Sequence, residues 1–349
     1  MRIEMKDKEF EKNNSRHEQS FTSTGHKLLH HQDAIESLRS KRNHPIVLHI
    51  MPTERCNLNC VFCSVAQRGE SDHLFPDLTL KQIKSVVSAL RPLGLKAVIL
   101  SGGGEPCLYE FINELLVYLK SENLEIGIIT NGVVLGTRIT DTNLKFLSWI
   151  RISANAFDYV DDISIPKIKC NTTLGFSYIW NPLSSEKIIK KIIRKIHEQS
   201  QSNPISYVRM LPDCNLATSD LEKAHKYLRK MTMELGPPFF HQYKIHQTPN
   251  QCHLGRVHPV LYTDGYIYPC DSLVLNSPAD NKKFHRDFAL CRWDEIREFF
   301  LTEINGSLVN TNKCPNCVFC RQNELLMKII NSNEELPVPT DNLQHVNFI

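Results

Sequence analysis

Between residues 46 and 235 the chain alternates short Val- and Ile-rich runs with amphipathic stretches, and this alternation restricts the folds open to it. IVLHI (46–50), KAVIL (96–100), EIGIIT (125–130), IRISAN (150–155), TLGFSYIW (173–180) and ISYVRML (205–211) read as strands. The segments between them read as helices. One starts from an N-cap at Thr79 and places Ile83, Val86, Val87 and Leu90 on one face before the Pro92/Gly94 stop. Others cover 110–122, roughly 141–149, 184–200 and 219–235, while the piece before 170 shows no clear period. Six βα units predict an α/β fold, a partial (β/α)6 TIM-like barrel whose chemistry belongs at the C-terminal ends of its strands.

The flanking regions differ in character. Residues 1–44 are a polar N-terminal arm, expected to be mobile or loosely helical and to carry no catalytic signal. The barrel is expected over 45–240. A shorter, hairpin-like cysteine-bearing region follows over 241–330, and then a tail over 331–349. At 349 residues, with 41% hydrophobic and 23% charged residues, the chain can bury a sizeable core. The formal charge of +3 is scattered, so neither nucleic acid nor an anionic membrane is an expected partner. No stretch approaches the ~18 apolar residues of a membrane span, and the expected location is the cytoplasm. There, twelve cysteines are better explained as metal ligands, reactive thiols or buried small residues than as disulfides.

Three of those cysteines stand just past the first strand, in CNLNCVFC (56–63). Cys56, Cys60 and Cys63 supply three thiolates, one short of a closed zinc or iron–sulfur site. On a cubane cluster they would leave one iron open to chelate a small molecule. The second strand ends in LSGGGEP (100–106), where glycines let the backbone approach a ligand and Glu105 adds an acceptor for a cationic group. The two loops form adjacent parts of one barrel rim. A zinc knuckle beside a plain glycine loop is the blander alternative.

The paired motifs, in this order and within βα units, resemble the radical S-adenosylmethionine (SAM) superfamily, with the resemblance covering roughly 45–235. It implies that Cys56, Cys60 and Cys63 bind a [4Fe-4S] cluster whose open iron chelates the amino and carboxylate groups of SAM. By the same resemblance Gly103, Gly104 and Glu105 receive the amino group, and Phe62 packs near the adenine. Ser153 and Asn155 at the fourth strand end, and Thr130 and Asn131 of ITNG, are looser matches on the cofactor side. Ordinary turn and strand-end roles suit these residues as well. The implied chemistry is reductive cleavage of SAM to a 5′-deoxyadenosyl radical that removes hydrogen from a substrate, with the protein positioning both. A flavodoxin or ferredoxin would supply the electron.

The second cysteine set comprises Cys252 and Cys270, with Gly265 five residues before the latter, then Cys314, Cys317 and Cys320 in CPNCVFC. Distant cysteine pairs can converge on one metal site. The arrangement resembles the SPASM or twitch auxiliary-cluster extension of the same superfamily, in its separations the twitch-type 2-deoxy-scyllo-inosamine dehydrogenases. This implies a second [4Fe-4S] cluster on Cys252, Cys270, Cys314 and Cys317, with Cys320 able to replace Cys317 or to stay free. A four-cysteine structural zinc site fits the spacing too. Asp271 matches a base position in SPASM enzymes, or caps a turn. Cys214, past the sixth strand, is the candidate thiol hydrogen donor, and Arg209 the candidate partner of a cofactor or substrate carboxylate. HQYKIHQ (241–247) is expected to line or merely cover the domain junction.

These readings predict an oxidoreductase that acts on a peptide or small natural product with net oxidation. Redox-neutral epimerisation through a cysteine donor, and a non-catalytic iron–sulfur or zinc protein, remain as alternatives. The short N-terminus is too small for a winged-helix leader-peptide domain, which mildly favours a small molecule or a separately delivered peptide.

Overall fold

The computed structural model describes residues 2–63, 75–168, 171–213, 216–244, 246–275, 286–314 and 317–349, with the side chains of 2–10 and of residue 218 left aside. Six βα units are present. Strands β1 (Val47–Ile50), β2 (Ala97–Leu100), β3 (Glu125–Thr130), β4 (Leu147–Ser153), β5 (Thr173–Trp180), β6 (Tyr207–Pro212) and β7 (Phe239–His241) form consecutive parallel pairs. The sheet stays open at β7, as in a partial barrel. At the other side β8 (Val260–Leu261) pairs parallel to β1, then β9 (Tyr266–Tyr268) and β10 (Cys291–Arg292) continue antiparallel. The cysteine-bearing region therefore adds its strands to the same sheet.

Period-2 alternation separates two apolar layers. Leu48, Ile50, Val98, Leu100, Ile126, Ile128, Ile150 and Ile152 pack beneath the outer helices. Ala97, Ile99 and Trp149 face an inner cluster, which is filled by Leu254, Val260 and Tyr262 and, from the C-terminus, by Phe348 and Ile349. The helix Leu80–Leu90 begins with a capping box, the Thr79 hydroxyl accepting from Gln82 N–H while the Gln82 side chain accepts from Thr79 N–H. It buries Ile83, Val86, Val87 and Leu90, as the pattern predicts.

Two expectations need correction. The helix expected over 141–149 is two single turns, Leu135–Arg138 and Asp141–Leu144, and β4 already starts at Leu147. The N-terminal arm is helical and packed: it forms α1 (Arg2–Phe21), α2 (Gly25–Leu28) and α3 (Gln32–Arg39), and its second half joins the inner cluster through Leu28, Leu29, Ala34, Ile35 and Leu38. Its polar composition hides this because α1 works through specific polar pairing. The Asn14 side-chain amide donates to His241 O at 2.8 Å and accepts from His241 N at 2.7 Å, so it occupies the open edge of β7. Phe21 stacks on Tyr207 with ring centroids 4.5 Å apart.

Candidate functional site

β1 runs on through Thr53 to the first cysteines, and the glycine loop after β2 lies against that extension. Gly104 N–H donates to Thr53 O at 2.9 Å and Glu105 N–H to Arg55 O at 2.8 Å. A Cβ on Gly104 would fall 2.2 Å from Arg55 O, so only glycine permits the contact. Glu105 is buried, and its carboxylate accepts from Thr130 Oγ1 (2.6 Å), Asn131 N (2.7 Å) and Cys107 N (3.0 Å). These bonds occupy it with holding the loop to the end of β3.

Asn131 is tied to the cysteine loop, its Nδ2 donating to Asn57 Oδ1 at 2.7 Å and standing 3.9 Å from Cys56 Sγ. Cys60 is pushed up to about 12 by burial and by the neighbouring Cys63 and Cys56, and burial raises Cys56 as well. Three free thiols near enough to raise one another's proton affinity suit a metal that displaces those protons. The donor set and the glycine cradle fit a SAM-chelating cluster. Phe62, Cys63 and Gly103 open from here onto a cavity of about 650 Å³ inside the barrel. Ser153 is half-buried at the end of β4. Asn155 lies away from the cavity: fully buried, it accepts from Ile179 N (2.7 Å) and donates to Ile179 O (2.9 Å), splicing the ends of β4 and β5.

Across the cavity stands the second cysteine set. Gly265, with φ of 80°, makes the turn between β8 and β9, and the hairpin delivers Cys270. Cys252 is held by Ser307 Oγ, and the neighbouring His253 and Leu254 N–H groups donate to Asn323 Oδ1 of the helix Cys320–Asn331. Cys252, Cys270, Cys314 and Cys317 converge on one small cavity lined otherwise mainly by apolar side chains. Burial and the adjoining sulfurs push Cys252 up to about 12 and Cys314 to about 11. Cys320 faces the large cavity, its thiol donating to Glu324 Oε1 at 3.3 Å. Cys270 borders both cavities.

The rest of the large cavity is more charged than the sequence suggested. Asp271 lines it beside Cys270, with His49 and His258 close enough to feel its charge. Arg209 reaches in from β6, its guanidinium donating to Ser177 Oγ (2.9 and 3.1 Å) and Gln242 Oε1 (3.1 Å). Gln242, Tyr243 and Lys244 line the same wall, so the 241–247 stretch contributes to the site. Cys214, the expected thiol donor, lies outside the described residues. Sequence reasoning missed Glu18 of α1, which is pushed up to about 7 by burial against the pull of Arg321, Lys244 and Arg209. It also missed His49, whose Nε2 is buried without a hydrogen-bond partner. A histidine at an inward position of the apolar run IVLHI was the available signal.

Residues 50–199 match the family model "Radical SAM superfamily". A GTP 3′,8-cyclase of Clostridium perfringens is 33% identical over 108 residues, which are 30% of this chain and 33% of the cyclase. A GTP 3′,8-cyclase of Peptoclostridium acidaminophilum is 26% identical over 224 residues, 47% of this chain and 68% of that protein. The chain thus spans about a third of the length of the first of these relatives. Among solved structures, native anSMEcpe with bound AdoMet superimposes with a TM-score of 0.51 at 15% identity, over 81% of this chain and 96% of that one. That likeness establishes a shared fold. Among the described residues no helix is long and apolar enough to cross a membrane.

Proposed function

We propose, taking residues 50–199 as the radical SAM domain that they match, that the chain is a radical SAM oxidoreductase with two clusters facing one substrate cavity. The observation that carries this reading is that Cys63 and Cys270, one from each cysteine set, line the same cavity of about 650 Å³. Cys56, Cys60 and Cys63 would hold the SAM-binding [4Fe-4S] cluster, and Cys252, Cys270, Cys314 and Cys317 an auxiliary one. When bound, these groups supply a 5′-deoxyadenosyl radical for hydrogen abstraction and a nearby acceptor for the electron left on the substrate.

The chain's own residues supply position and protons. Gly103 lines the cavity where the methionine end of SAM would lie, Gly104 lets the loop press on the segment before Cys56, and Glu105 and Asn131 fix the loops around it. Arg209, Lys244 and Arg321 offer cationic contacts for an anionic substrate group, partly balanced by Glu18. Asp271 is placed to accept a proton as the substrate is oxidised. The cavity volume falls in the range of small-molecule sites, and Asn14 blocks strand addition at β7. Both features favour a small molecule, or a single peptide side chain, over an extended peptide. A flavodoxin or ferredoxin is the expected reductant. The cyclases share only part of their length with this chain, so their substrate is not carried over.

The test is iron and sulfide analysis with Mössbauer spectroscopy on anaerobic protein in which Cys56, Cys60 and Cys63 are alanine, alongside 5′-deoxyadenosine formation by the wild type. Retention of about four irons in the variant, with 5′-deoxyadenosine made only by the wild type, is expected. A variant without iron, from a wild type that holds one cluster, would overturn the auxiliary site and favour redox-neutral epimerisation.

A further inference from the structure

One ligand cluster lies apart from the cysteines, where the two ends of the chain meet. His26 of α2 and His30, one turn later, both direct Nε2 at Asp341 in the C-terminal tail. His26 Nε2 is 3.0 Å from Oδ2, and His30 Nε2 is 3.3 Å from Oδ1. The three ligand atoms all lie within 4.8 Å of one another. His30 Nε2 is shielded from solvent, and its approach to Asp341 Oδ1 lacks hydrogen-bond alignment, so this buried nitrogen has no hydrogen-bond partner.

We propose that His26, His30 and Asp341 bind one divalent transition-metal ion of the Zn2+ type, which staples the N-terminal helices to the C-terminal tail. Two imidazoles and a carboxylate are borderline donors of the kind zinc accepts. Bonds of about 2.0–2.1 Å would set tetrahedral donor atoms about 3.3 Å apart, close to the two histidine-to-carboxylate spacings and within reach for the pair of imidazoles. Water would complete the coordination. The site is half open to solvent, so an ion can enter, and Asp341 neutralises part of its charge.

The placement gives such an ion a structural consequence. Next to His26, Lys27 is buried and donates from Nζ to Phe348 O at 3.2 Å, while Phe348 packs edge-on against Trp149 with ring centroids 5.2 Å apart. Gly25, His26 and Lys27 also line the large cavity. An ion at Asp341 would therefore hold the tail in the barrel floor and steady one wall of the cavity. None of this depends on radical chemistry.

Anaerobic protein with its clusters reconstituted, so that the cysteines are occupied, is titrated with Co2+ and then Zn2+. One equivalent of Co2+ with four-coordinate d–d bands and no thiolate charge-transfer band is expected, together with a higher melting temperature. His30→Gln and Asp341→Asn should each weaken binding at least tenfold and abolish the thermal shift, with iron content unchanged. Thiolate charge transfer, binding equal in the variants, or no binding to the wild type would each overturn the site and leave an ordinary ion pair. Should a variant fail to fold, the cobalt spectrum of the wild type and its loss on acidification through the histidine range still decide the matter.

Discussion

Cys317 and Cys320 are three residues apart, yet they open onto different cavities: Cys317 joins Cys252, Cys270 and Cys314, while Cys320 turns to the large cavity and donates to Glu324 Oε1. Phe319 precedes the helix Cys320–Asn331, so the chain changes direction between the two sulfurs. Cys317→Ser should therefore cost one auxiliary cluster, about four irons, whereas Cys320→Ser should keep full iron content. Iron and sulfide assays on the two anaerobic variants check this. Equal losses would mean that Cys320 shares the ligand role.

At the open edge of the barrel, Asn14 pairs with both the N–H and the C=O of His241. Asn14→Ala would leave those backbone groups without partners, at about 1–3 kcal/mol, and would present β7 as an edge for pairing with other chains. We expect a lower melting temperature and more aggregation on heating, with unchanged iron content. Thermal melts with light scattering test it, and an unaltered melt would show that α1 is held in other ways.

How much of this was legible beforehand depended on the range of the interaction. The N-cap at Thr79 and the apolar face of Ile83, Val86, Val87 and Leu90 are local patterns, and both appear in the structure. The cysteine loop and GGGEP could be paired because consecutive strands of a parallel sheet bring their ends together. Nothing local told that Asn14 would serve a strand more than 200 residues away, or that the tail's Phe348 would fill the barrel floor. Spacing alone also left Cys317 and Cys320 equivalent, because the contacts that seat the helix Cys320–Asn331, such as Asn323 on His253 and Leu254, are long-range.

Acid should unfold the chain earlier than its carboxylates alone would dictate. Burial pushes His31, His253 and His345 down to about 4 and His241 to about 3. Between those values and the ordinary histidine range near 6.5, the unfolded chain holds protons that the folded chain lacks. The histidine contribution is therefore full above about pH 6.5 and falls as the pH drops toward 4, while Glu18, raised to about 7, works in the opposite sense over part of that window. Urea midpoints at several pH values across this window check the sign, and His253→Gln should flatten the dependence. A pH dependence left unchanged by His253→Gln would contradict the neutral, buried state of that ring.

Gly104 offers the most direct test of the glycine loop's proposed part in SAM binding, because its demand is purely steric. The Cβ of Gly104→Ala would meet Arg55 O at 2.2 Å and Glu54 O at 2.6 Å, both backbone atoms that cannot rotate aside. The loop must then lift from the segment that carries Cys56, breaking the Gly104 to Thr53 and Glu105 to Arg55 hydrogen bonds. SAM affinity should fall at least tenfold and 5′-deoxyadenosine formation should be lost, while the iron at the second cysteine set stays. Gly136→Ala, whose Cβ would meet Pro166 at an ordinary 3.4 Å, is the control and should leave binding intact. Equilibrium binding of SAM to both reconstituted variants separates the cases. If Gly104→Ala bound SAM as the wild type does, the glycine loop would have no part in holding the cofactor.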